Sequence, residues 1–534
     1  MSTISVVASI ANAAACLAGA YGAVSRQARL VGCSRQAAYD HARKVLGAVR
    51  RLDPRGGDPR RLREELGRLR REVADLRGRL DRAIEVPLGK RREFAAVAAG
   101  MGLSLAHTRE VLAFFLGEAA APSRSALGRW AAAAGVAAGA ALARLDALCR
   151  PLILAGCLDE IFFRGRPVLV AVEPASMTWF LGRRPGRLDG RTWAEALGEF
   201  PALRHVVADA GRALQAGIAT VRELRAAGGG AALDSTLDVF HTVHRAREAL
   251  GPARHRERRA AEAYEAADRK VEKARRRGVP AQAAAGEAKS AWRKVEAAIG
   301  RAEAMEATWG LLSEALEVFR PDGRLNDRAW AEARVAEHLP ELAGKEWDGV
   351  ANHLEGPTSF TFLDRLHADL EALPIAAGLR EALVRLWWLR RRRPRGTGPA
   401  AGAGHVAHLV QRVYCSKLDD DWAKWYAAVS AILRGVVRAS SSVECMNSVL
   451  RMHQSRHRTI TPGMLDLKRL YWNTRRFRGG KRKGECPYEH LGLVLPTYDF
   501  WALIEDDFAI ALAEAKAVAA RKARARLIAR ATAA

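Results

Sequence analysis

The sequence predicts a mixed α/β core that is interrupted by a large all-α insertion and preceded by an all-α amino-terminal region. Apolar segments of strand length, separated by turn signals, are concentrated between residues 153 and 208. The stretches on both sides of this cluster are rich in Ala, Arg and Glu and have a helical pattern. A chain of 534 residues has room for roughly two to four domains.

The apolar cluster has the order β-β-β-α-β. Its elements are expected at residues 153–163, 168–172 and 177–181 for three strands, 192–197 for a short helix and 205–208 for the fourth strand. Asp159 lies inside the first strand, and Asp209 directly follows the fourth. Glu160 is expected to point to the opposite face from Asp159, because side chains alternate along a strand. We therefore expect a mixed sheet that is flanked by helices and carries Asp159 on one face.

A third acid, Glu444, lies far downstream in a helix that opens at Ser441. The set Asp159, Asp209 and Glu444 resembles the acids of the RNase H-like catalytic core of bacterial insertion-sequence transposases of the DDE type. Asp159 matches the first Asp of that motif, Asp209 the second Asp and Glu444 the third acid. Residues 441–451 are similar to the terminal-helix signature of the family, and the resemblance covers residues 153–250 and 436–492. It implies an RNase H-like α/β fold and a DNA transposase activity.

Phosphodiester chemistry explains why such a site needs several carboxylates. Two Mg²⁺ ions about 3.5–4 Å apart activate an attacking oxygen and stabilise a leaving oxygen, and hard cations prefer carboxylate ligands. We expect Asp159 to bridge both ions, Asp209 to hold one and Glu444 the other, with Mn²⁺ as an alternative metal. The resemblance implies that water first hydrolyses the transposon ends to expose a 3′-hydroxyl, which then attacks target DNA.

The charge of the chain favours a polyanionic partner. Lys and Arg exceed Asp and Glu to give a formal net charge of +27, with a pI near 10.5. Such an excess is typical of proteins that bind nucleic acid by releasing counterions from phosphates. A GC-rich genome explains the preference for Arg over Lys but not the excess over acids. We expect double-stranded DNA, both transposon ends and target, as the partner.

Cysteine usage and hydropathy bear on the compartment. The seven cysteines are scattered without a CxxC pair, which argues against a disulfide framework and a zinc site and favours a reducing cytoplasm. Residues 4–25 are uncharged, but they are mostly small and no basic residue precedes them, unlike a signal peptide or a membrane span. We expect a buried helix there, no membrane association, and a bacterial, cytoplasmic, nucleoid-associated protein.

Residues near the amino terminus are predicted to form a helix-turn-helix. Ala28 and Gly32 provide a small residue where two helices cross and a glycine at the tight turn, and Ser34 can cap the second helix. An ordinary helical hairpin is the alternative. The residues expected to face a DNA groove are Arg35, Gln36 and Tyr39.

A Pro- and Gly-rich linker is followed by a predicted coiled-coil helix. Its apolar residues recur at alternating spacings of four and three, as in a heptad seam. They are Leu62, Leu66, Leu69, Val73, Leu76 and Leu80. The seam predicts a homodimer or higher homo-oligomer on DNA, since two transposon ends must be brought together; packing of this helix on its own domain is the alternative.

Asp238 and His241 lie between the second and third acids. They resemble the Asp/Cys-x-x-His signature of some transposase families, which implies that they steer DNA strands or flank the metals; a core histidine is the alternative. Directly after them, residues 254–304 are predicted to be a charged helical hairpin that turns at Gly278.

The segment from residue 451 to 483 contains eleven Lys or Arg residues and one acid, with aromatic residues among them. Basic residues interleaved with aromatics are typical of a surface that follows a nucleic-acid backbone. On the preceding helix, Asn447, Ser448 and Arg451 share one face with Glu444. The DNA-binding residues predicted for this region are Asn447, Ser448, Arg451, Arg456, Arg458, Trp472, Arg475, Arg476, Lys481 and Arg482.

Together, these patterns predict a DNA transposase of several parts. The predicted parts are a helix-turn-helix at 1–50, a linker and coiled-coil helix at 51–87, a second helical DNA-binding or connector domain at 88–150, the catalytic core at 151–250 and 431–500, the all-α insertion at 251–430 and a basic helix at 501–534. Two alternatives remain open. An RNase H-fold nuclease or resolvase would cleave without joining, and a non-catalytic DNA-binding protein with a degenerate core would not depend on the acids.

Overall fold

The computed structural model describes residues 6–18, 20–52, 59–82, 86–342, 344–392, 399–457, 459–506 and 508–533. The chain divides into two compact units, Met1–Val86 with Phe114–Ala120 and Pro87–Ala113 with Ala121–Ala534. Three predicted features lie wholly or partly outside the described residues: residues 53–58 of the linker predicted at 53–59, residues 394–398 of a loop predicted at 394–404, and Arg458.

Four helices are formed by the described residues between 6 and 82. They are α1 (Val6–Leu17), α2 (Ala23–Val31), α3 (Arg35–Leu52) and α4 (Pro59–Arg82). The prediction of one buried helix over residues 4–25 is wrong, because α1 ends at Leu17, α2 begins at Ala23, and the side chain of Val7 is 76% exposed. Among the described side chains of α1, those of Asn12, Ala13 and Ala15 are buried.

The turn between α2 and α3 has the predicted chemistry. Gly32 ends α2 in the left-handed region at φ 68°, where a residue without a Cβ is favoured. The Ser34 hydroxyl accepts a hydrogen bond from the backbone N–H of Ala37 at 3.1 Å, and Ala28 is buried where the helices meet. Two helices joined by a tight turn are therefore present, which both the predicted helix-turn-helix and the alternative helical hairpin require. On α4, Leu66 and Leu69 are exposed, whereas the side chains of Leu62, Leu76 and Leu80 lie outside the described part.

Three helices open the second unit. They are α5 (Leu88–Met101), α6 (Leu105–Leu116) and α7 (Arg124–Cys149). By length and composition alone, the segment Arg124–Leu152 is apolar enough to cross a membrane. In the structure, however, Leu142 and Leu145 of this helix are buried in a core that they share with Leu467 and Leu470.

The described residues contain one five-stranded mixed sheet. Its strands and the two helices between them are β1 (Ala155–Phe163), β2 (Arg166–Glu173), β3 (Thr178–Arg183), α8 (Gly190–Gly198), β4 (His205–Ala208), α9 (Arg212–Ala227) and β5 (Asp234–Leu237). The strand order is β3-β2-β1-β4-β5, antiparallel from β1 to β3 and parallel from β1 to β5. The predicted order of the first four strands and α8 is confirmed, with ends displaced by at most a few residues.

Helices dominate the region between the sheet and the third acid. They are α10 (Val239–Arg276), α11 (Gln282–Glu314), α12 (Arg328–His338), α13 (Asp348–Leu354), α14 (Thr361–Glu371), α15 (Ala377–Arg392), α16 (Pro399–Leu418) and α17 (Trp422–Gly435). The predicted hairpin is formed by α10 and α11, with Gly278 at φ 64° in its turn. Because α10 continues past residue 250, the boundary set there by the sequence falls inside a helix. Residues 399–404, predicted as loop, begin α16.

The carboxyl-terminal helices return to the sheet. They are α18 (Ser441–Arg456), α19 (Pro462–Thr474), α20 (Pro487–Leu491), α21 (Ala502–Glu505) and α22 (Phe508–Ala533). Short 3₁₀ helices lie at Arg150–Leu152, Leu339–Glu341, Lys345–Trp347 and Gly480–Arg482. One sheet face packs against α8 and α9 through residues such as Leu158 and Trp193. The other face packs against α18 and α19 through Cys157, Ile161 and Met446.

Candidate functional site

Two strands bring the first two predicted acids together. Asp159 lies in the middle of β1, on the face covered by α18, and its side chain is only 8% exposed. Asp209 directly follows β4, which pairs in parallel with β1. Each carboxylate accepts a hydrogen bond from a nearby backbone N–H, Asp159 from Glu160 at 2.8 Å and Asp209 from Gly211 at 2.9 Å. The parallel pairing of Leu158 with Ala208 thus places the two acids that follow them, Asp159 and Asp209, on neighbouring strands at the carboxyl end of β4.

The side chain of Glu160 lies on the opposite face of the sheet from Asp159, as predicted. Its carboxylate accepts a hydrogen bond from Trp193 Nε1 at 2.7 Å, on the α8 side of the sheet. Burial raises the pKa of Glu160, and this hydrogen bond opposes that shift. Neighbouring acids of one strand therefore face different surroundings.

His241, in the first turn of α10, completes a potential metal site. One ligand atom each from Asp159, Asp209 and His241 lie within 4.8 Å of one another, and this cluster has the composition to hold a metal ion. His241 Nε2 is a buried atom without a hydrogen-bond partner among the described residues. The imidazole therefore offers an unused nitrogen at the acids.

The third predicted acid, Glu444, lies on α18 beside this cluster. Its Oε1 is 3.8 Å from His241 Nε2, and its Oε2 is 3.3 Å from the Nη1 of Arg451. Its side chain is 16% exposed. The three acids predicted from the sequence and His241 are thus brought to one place.

Asn447, one turn along α18 from Glu444, faces the cluster rather than solvent. Its Nδ2 donates to Asp159 Oδ2, and its side chain is fully buried. The predicted phosphate contact of Asn447 is therefore corrected: its amide has a protein partner at the first acid. Ser448 and Arg451 on the same helix are exposed, as a DNA contact requires.

The carboxylates of the site lie close enough together to affect each other's ionisation. Burial raises the pKa of Asp159 to about 7, and the charges of Asp209, Glu444 and Glu160 add to the shift. Like charges in a low dielectric disfavour the ionised form of each other. A divalent cation would reverse this penalty, since it favours ionised carboxylates. The donor set, carboxylate oxygens with one free imidazole nitrogen, fits such an ion.

Asp238 lies beside the cluster, with its Oδ2 3.5 Å from His241 Nε2, and its burial leaves no exposed surface for the predicted DNA contact. Its side chain is fully buried, caps α10 by accepting from Phe240 N–H at 2.9 Å, and accepts from both the N–H and the hydroxyl of Ser440. Ser440 directly precedes α18. Asp238 therefore ties the start of α10, which carries His241, to the start of α18, which carries Glu444.

Comparisons of the chain with protein-family models, with curated proteins and with solved structures gave no match. The site therefore has to be interpreted from its own residues.

The other predicted DNA contacts divide by accessibility. Arg35, Gln36 and Tyr39 on α3 are exposed, and so are Arg475, Arg476 and Lys481. Three further side chains bind backbone carbonyl oxygens: Arg456 that of Gly102, Trp472 that of Met177, and Arg482 those of Pro174 and Ala175. Trp472 and Arg482 are half-buried, whereas Arg456 is exposed. The exposed Arg476 likewise has protein partners, since it donates to the Gly484 carbonyl oxygen and to Glu489.

His353 of α13 is a neighbour of the site that sequence reasoning missed. It is buried, its Nδ1 lies 3.2 Å from Thr242 Oγ1, and its Nε2 has no hydrogen-bond partner in the described part of the chain. Burial lowers the pKa of His353 to about 4, and the nearby Arg245 and His241 contribute. No motif marks this position, because it reaches the site only through packing of the helical region on α10.

Proposed function

We propose that the protein is a DNA transposase of the DDE type with an RNase H-like core. The observation that carries the proposal is the convergence of Asp159 from β1, Asp209 from the end of β4 and Glu444 from α18. The mixed sheet, with β1 at its centre, supports the same fold. The net charge of +27 supports a DNA partner.

We infer that the cluster holds Mg²⁺ or Mn²⁺, and that two ions are present during the reaction. Asp159, which is subject to the charges of both Asp209 and Glu444, would hold the ions together with these two acids. His241 adds a nitrogen ligand at the same place. Bound divalent ions would activate the attacking oxygen and stabilise the leaving oxygen.

The reaction consists of two displacements at phosphorus. In the first, a water oxygen bonds to phosphorus as the bond to the 3′-oxygen breaks, which leaves a free 3′-hydroxyl at the transposon end. In the second, that hydroxyl oxygen bonds to a phosphorus of the target strand, whose own 3′-oxygen leaves. Neither step requires a covalent bond to the protein, so a Ser or Tyr nucleophile is not needed.

The remaining parts of the chain fit the same proposal. Arg35, Gln36 and Tyr39 on α3 would read the transposon ends in a groove. Exposed basic residues that follow Glu444, such as Arg475 and Lys481, would hold the backbone. Two ends require at least two copies of the chain, and the exposed Leu66 and Leu69 of α4 offer a seam for a homodimer. A bacterial cytoplasm, with the protein on the nucleoid, is the compartment we expect.

Strand cleavage and transfer on the DNA that flanks the gene tests this proposal. Duplexes from both flanks would be incubated with the full-length protein, target plasmid and Mg²⁺, and nicked and joined products would be separated on denaturing gels. Glu444→Gln removes the charge but keeps the shape of the side chain. Its matched control is Glu505→Gln, which changes an exposed acid of α21 in the same way.

The transposase proposal predicts joined products that are lost in Glu444→Gln and kept in Glu505→Gln, while binding to the flanks survives in both. Cleaved but unjoined DNA would instead identify a nuclease. Binding without any product in the native protein would identify a DNA-binding protein with an inactive core.

A further inference from the structure

A cavity of about 550 Å³ opens at the start of α18. Its walls are the turn between β2 and β3 (residues 174–177), the segment that leads from α17 into α18, and the loop around residue 481. Ser441 and Ser442, the first residues of α18, also line it. The predicted site residues Lys481 and Arg482 are part of its wall, but the carboxylate cluster is not.

The cavity is strongly basic. Arg434, Arg438, Lys481 and Arg482 line it, and none of the described residues in its wall is acidic. Arg482 is held in place, because it donates to the carbonyl oxygens of Pro174 and Ala175 at 2.8 Å each. Arg438 also pairs with Glu317 at 2.9 Å, so its charge is partly balanced. The other cations leave a net positive charge.

The start of α18 adds hydrogen-bond donors to this charge. The residue before the helix, Ser440, gives its hydroxyl to Asp238 and makes no side-chain cap. The first N–H groups of a helix have no partner inside the helix, and together with the helix dipole they attract anions. Ser442, a buried residue, also lines the cavity beside these N–H groups.

The cavity also lies close to the carboxylates. Ser441 and Glu444 are three residues apart on α18 and therefore share one face, separated by about 4.5 Å along the helix axis. Successive phosphates of one DNA strand advance by about 3.4 Å along the duplex. A strand that runs from the carboxylates along α18 towards its start would therefore pass the cavity.

We propose that this cavity is a phosphate-binding pocket that takes a phosphate group of the DNA strand held at the carboxylate cluster. The identity of that strand rests on the proposed function, whereas the affinity for phosphate rests on the cavity alone. The phosphate is either a terminal 5′-phosphate or an internal phosphodiester, which present the same oxygens to the same donors.

Binding measurements without divalent metal test the pocket separately from catalysis. A short single-stranded oligonucleotide with a fluorophore at its 3′ end would be titrated with the full-length protein in EDTA, as a 5′-phosphate and as a 5′-hydroxyl form. The double substitution Arg434→Ala with Lys481→Ala removes two exposed cations from the cavity. The matched control is Lys273→Ala with Arg277→Ala, which removes the same charge at the tip of the α10–α11 hairpin.

The pocket predicts that the cavity variant loses at least about tenfold in affinity, and the control less than about threefold. The slope of log affinity against log salt concentration should become less negative by about 0.7 for each lost phosphate contact. Arg434→Lys with Lys481→Arg keeps both charges and should retain most of the affinity. Inorganic phosphate, at constant ionic strength, should compete with the oligonucleotide on the native protein.

Tighter binding of the 5′-phosphate form would identify a terminal phosphate, and equal binding of both forms an internal one. Equal losses in the cavity variant and the control would overturn the pocket, because the basic residues would then act only through net charge. If the native protein gives no strand transfer but the cavity variant still loses oligonucleotide affinity relative to its control, the result would count against the proposed function and not against the phosphate pocket.

Discussion

On the sheet face that packs against α8, Glu160 accepts a hydrogen bond from Trp193 Nε1, whereas on the face covered by α18, Asp159 lies among Asp209, Glu444 and His241. The two acids are adjacent in one strand. Glu160 accepts a hydrogen bond from a neutral donor, and the charge of Asp209 adds to the rise in its pKa that burial causes. Asp159 also accepts hydrogen bonds, from Glu160 N–H and Asn447, but the charges of three acids, Asp209, Glu444 and Glu160, add to the rise in its pKa. Two neighbouring acids of one strand thus differ in the charges around them and also in burial, since Asp159 is buried and Glu160 is half-buried.

The largest expected effect is a difference in strand-cleavage rate between variants of these two acids. Asp159→Asn should reduce the strand-cleavage rate by more than about 100-fold. This loss is larger than is typical for a residue that hydrogen-bonds a metal ligand without binding the metal itself. Glu160→Gln should change it by less than about fivefold, since its amide oxygen can still accept from Trp193. Initial rates on the same DNA flanks measure both. Equal losses in the two variants would remove the distinction between the faces.

The second effect is on metal-dependent stability. A divalent ion that binds only the folded protein should stabilise it by about 2.7 kcal/mol at a concentration of 100 Kd. Mn²⁺ should therefore raise the melting temperature of the native protein and of Glu160→Gln. Asp159→Asn should melt higher than the native protein without metal, because like charges are relieved, and should gain little from Mn²⁺. A full Mn²⁺ gain in Asp159→Asn would contradict this assignment of the metal site.

On the α8 face, the expected effect is structural. Trp193→Phe removes the donor to Glu160 and leaves a buried carboxylate unsatisfied, at a cost of about 1–3 kcal/mol. The matched control is Trp292→Phe, because Trp292 donates to Glu296 in the same way at 2.8 Å but is exposed. Urea denaturation should show a loss only for Trp193→Phe, with cleavage per folded molecule unchanged. A selective loss of cleavage would place Glu160 in the functional site.

The smallest effect concerns His205 at the other end of β4, where its Nε2 lies 2.8 Å from Thr236 Oγ1. Burial lowers the pKa of His205 to about 3, and Arg365 adds to the shift. The unfolded chain binds a proton below about pH 6.5 that the folded chain does not, so stability falls as the pH decreases from 6.5 towards 3.

His205→Gln should therefore reduce the pH dependence of unfolding in this range, by at most about 1.4 kcal/mol per pH unit. The exposed His255→Gln should leave it unchanged. Urea midpoints at several pH values compare the two variants. An unaltered slope in His205→Gln would show that this histidine is not the group that titrates.

Local patterns accounted for much of the fold. Apolar segments of strand length between turn signals located β1 to β4, because strands that are buried on both faces are apolar along most of their length. The turn before α3 was predictable from Gly32 and Ser34, which act on their nearest neighbours. The long uncharged run at the amino terminus was misinterpreted, because small side chains can be buried where helices cross without their larger neighbours being buried.

The sequence by itself determined the positions of Asp159, Asp209 and Glu444 on their elements, since these follow from short-range periodicity. Only the tertiary structure decided that His241 joins them, that Asp238 instead links α10 to α18, and that Asn447 donates to Asp159. These contacts join residues that are far apart along the chain, across a helical region whose packing no local pattern encodes. The basic cavity at the start of α18 arises in the same way, from three separate segments that meet only in the folded protein.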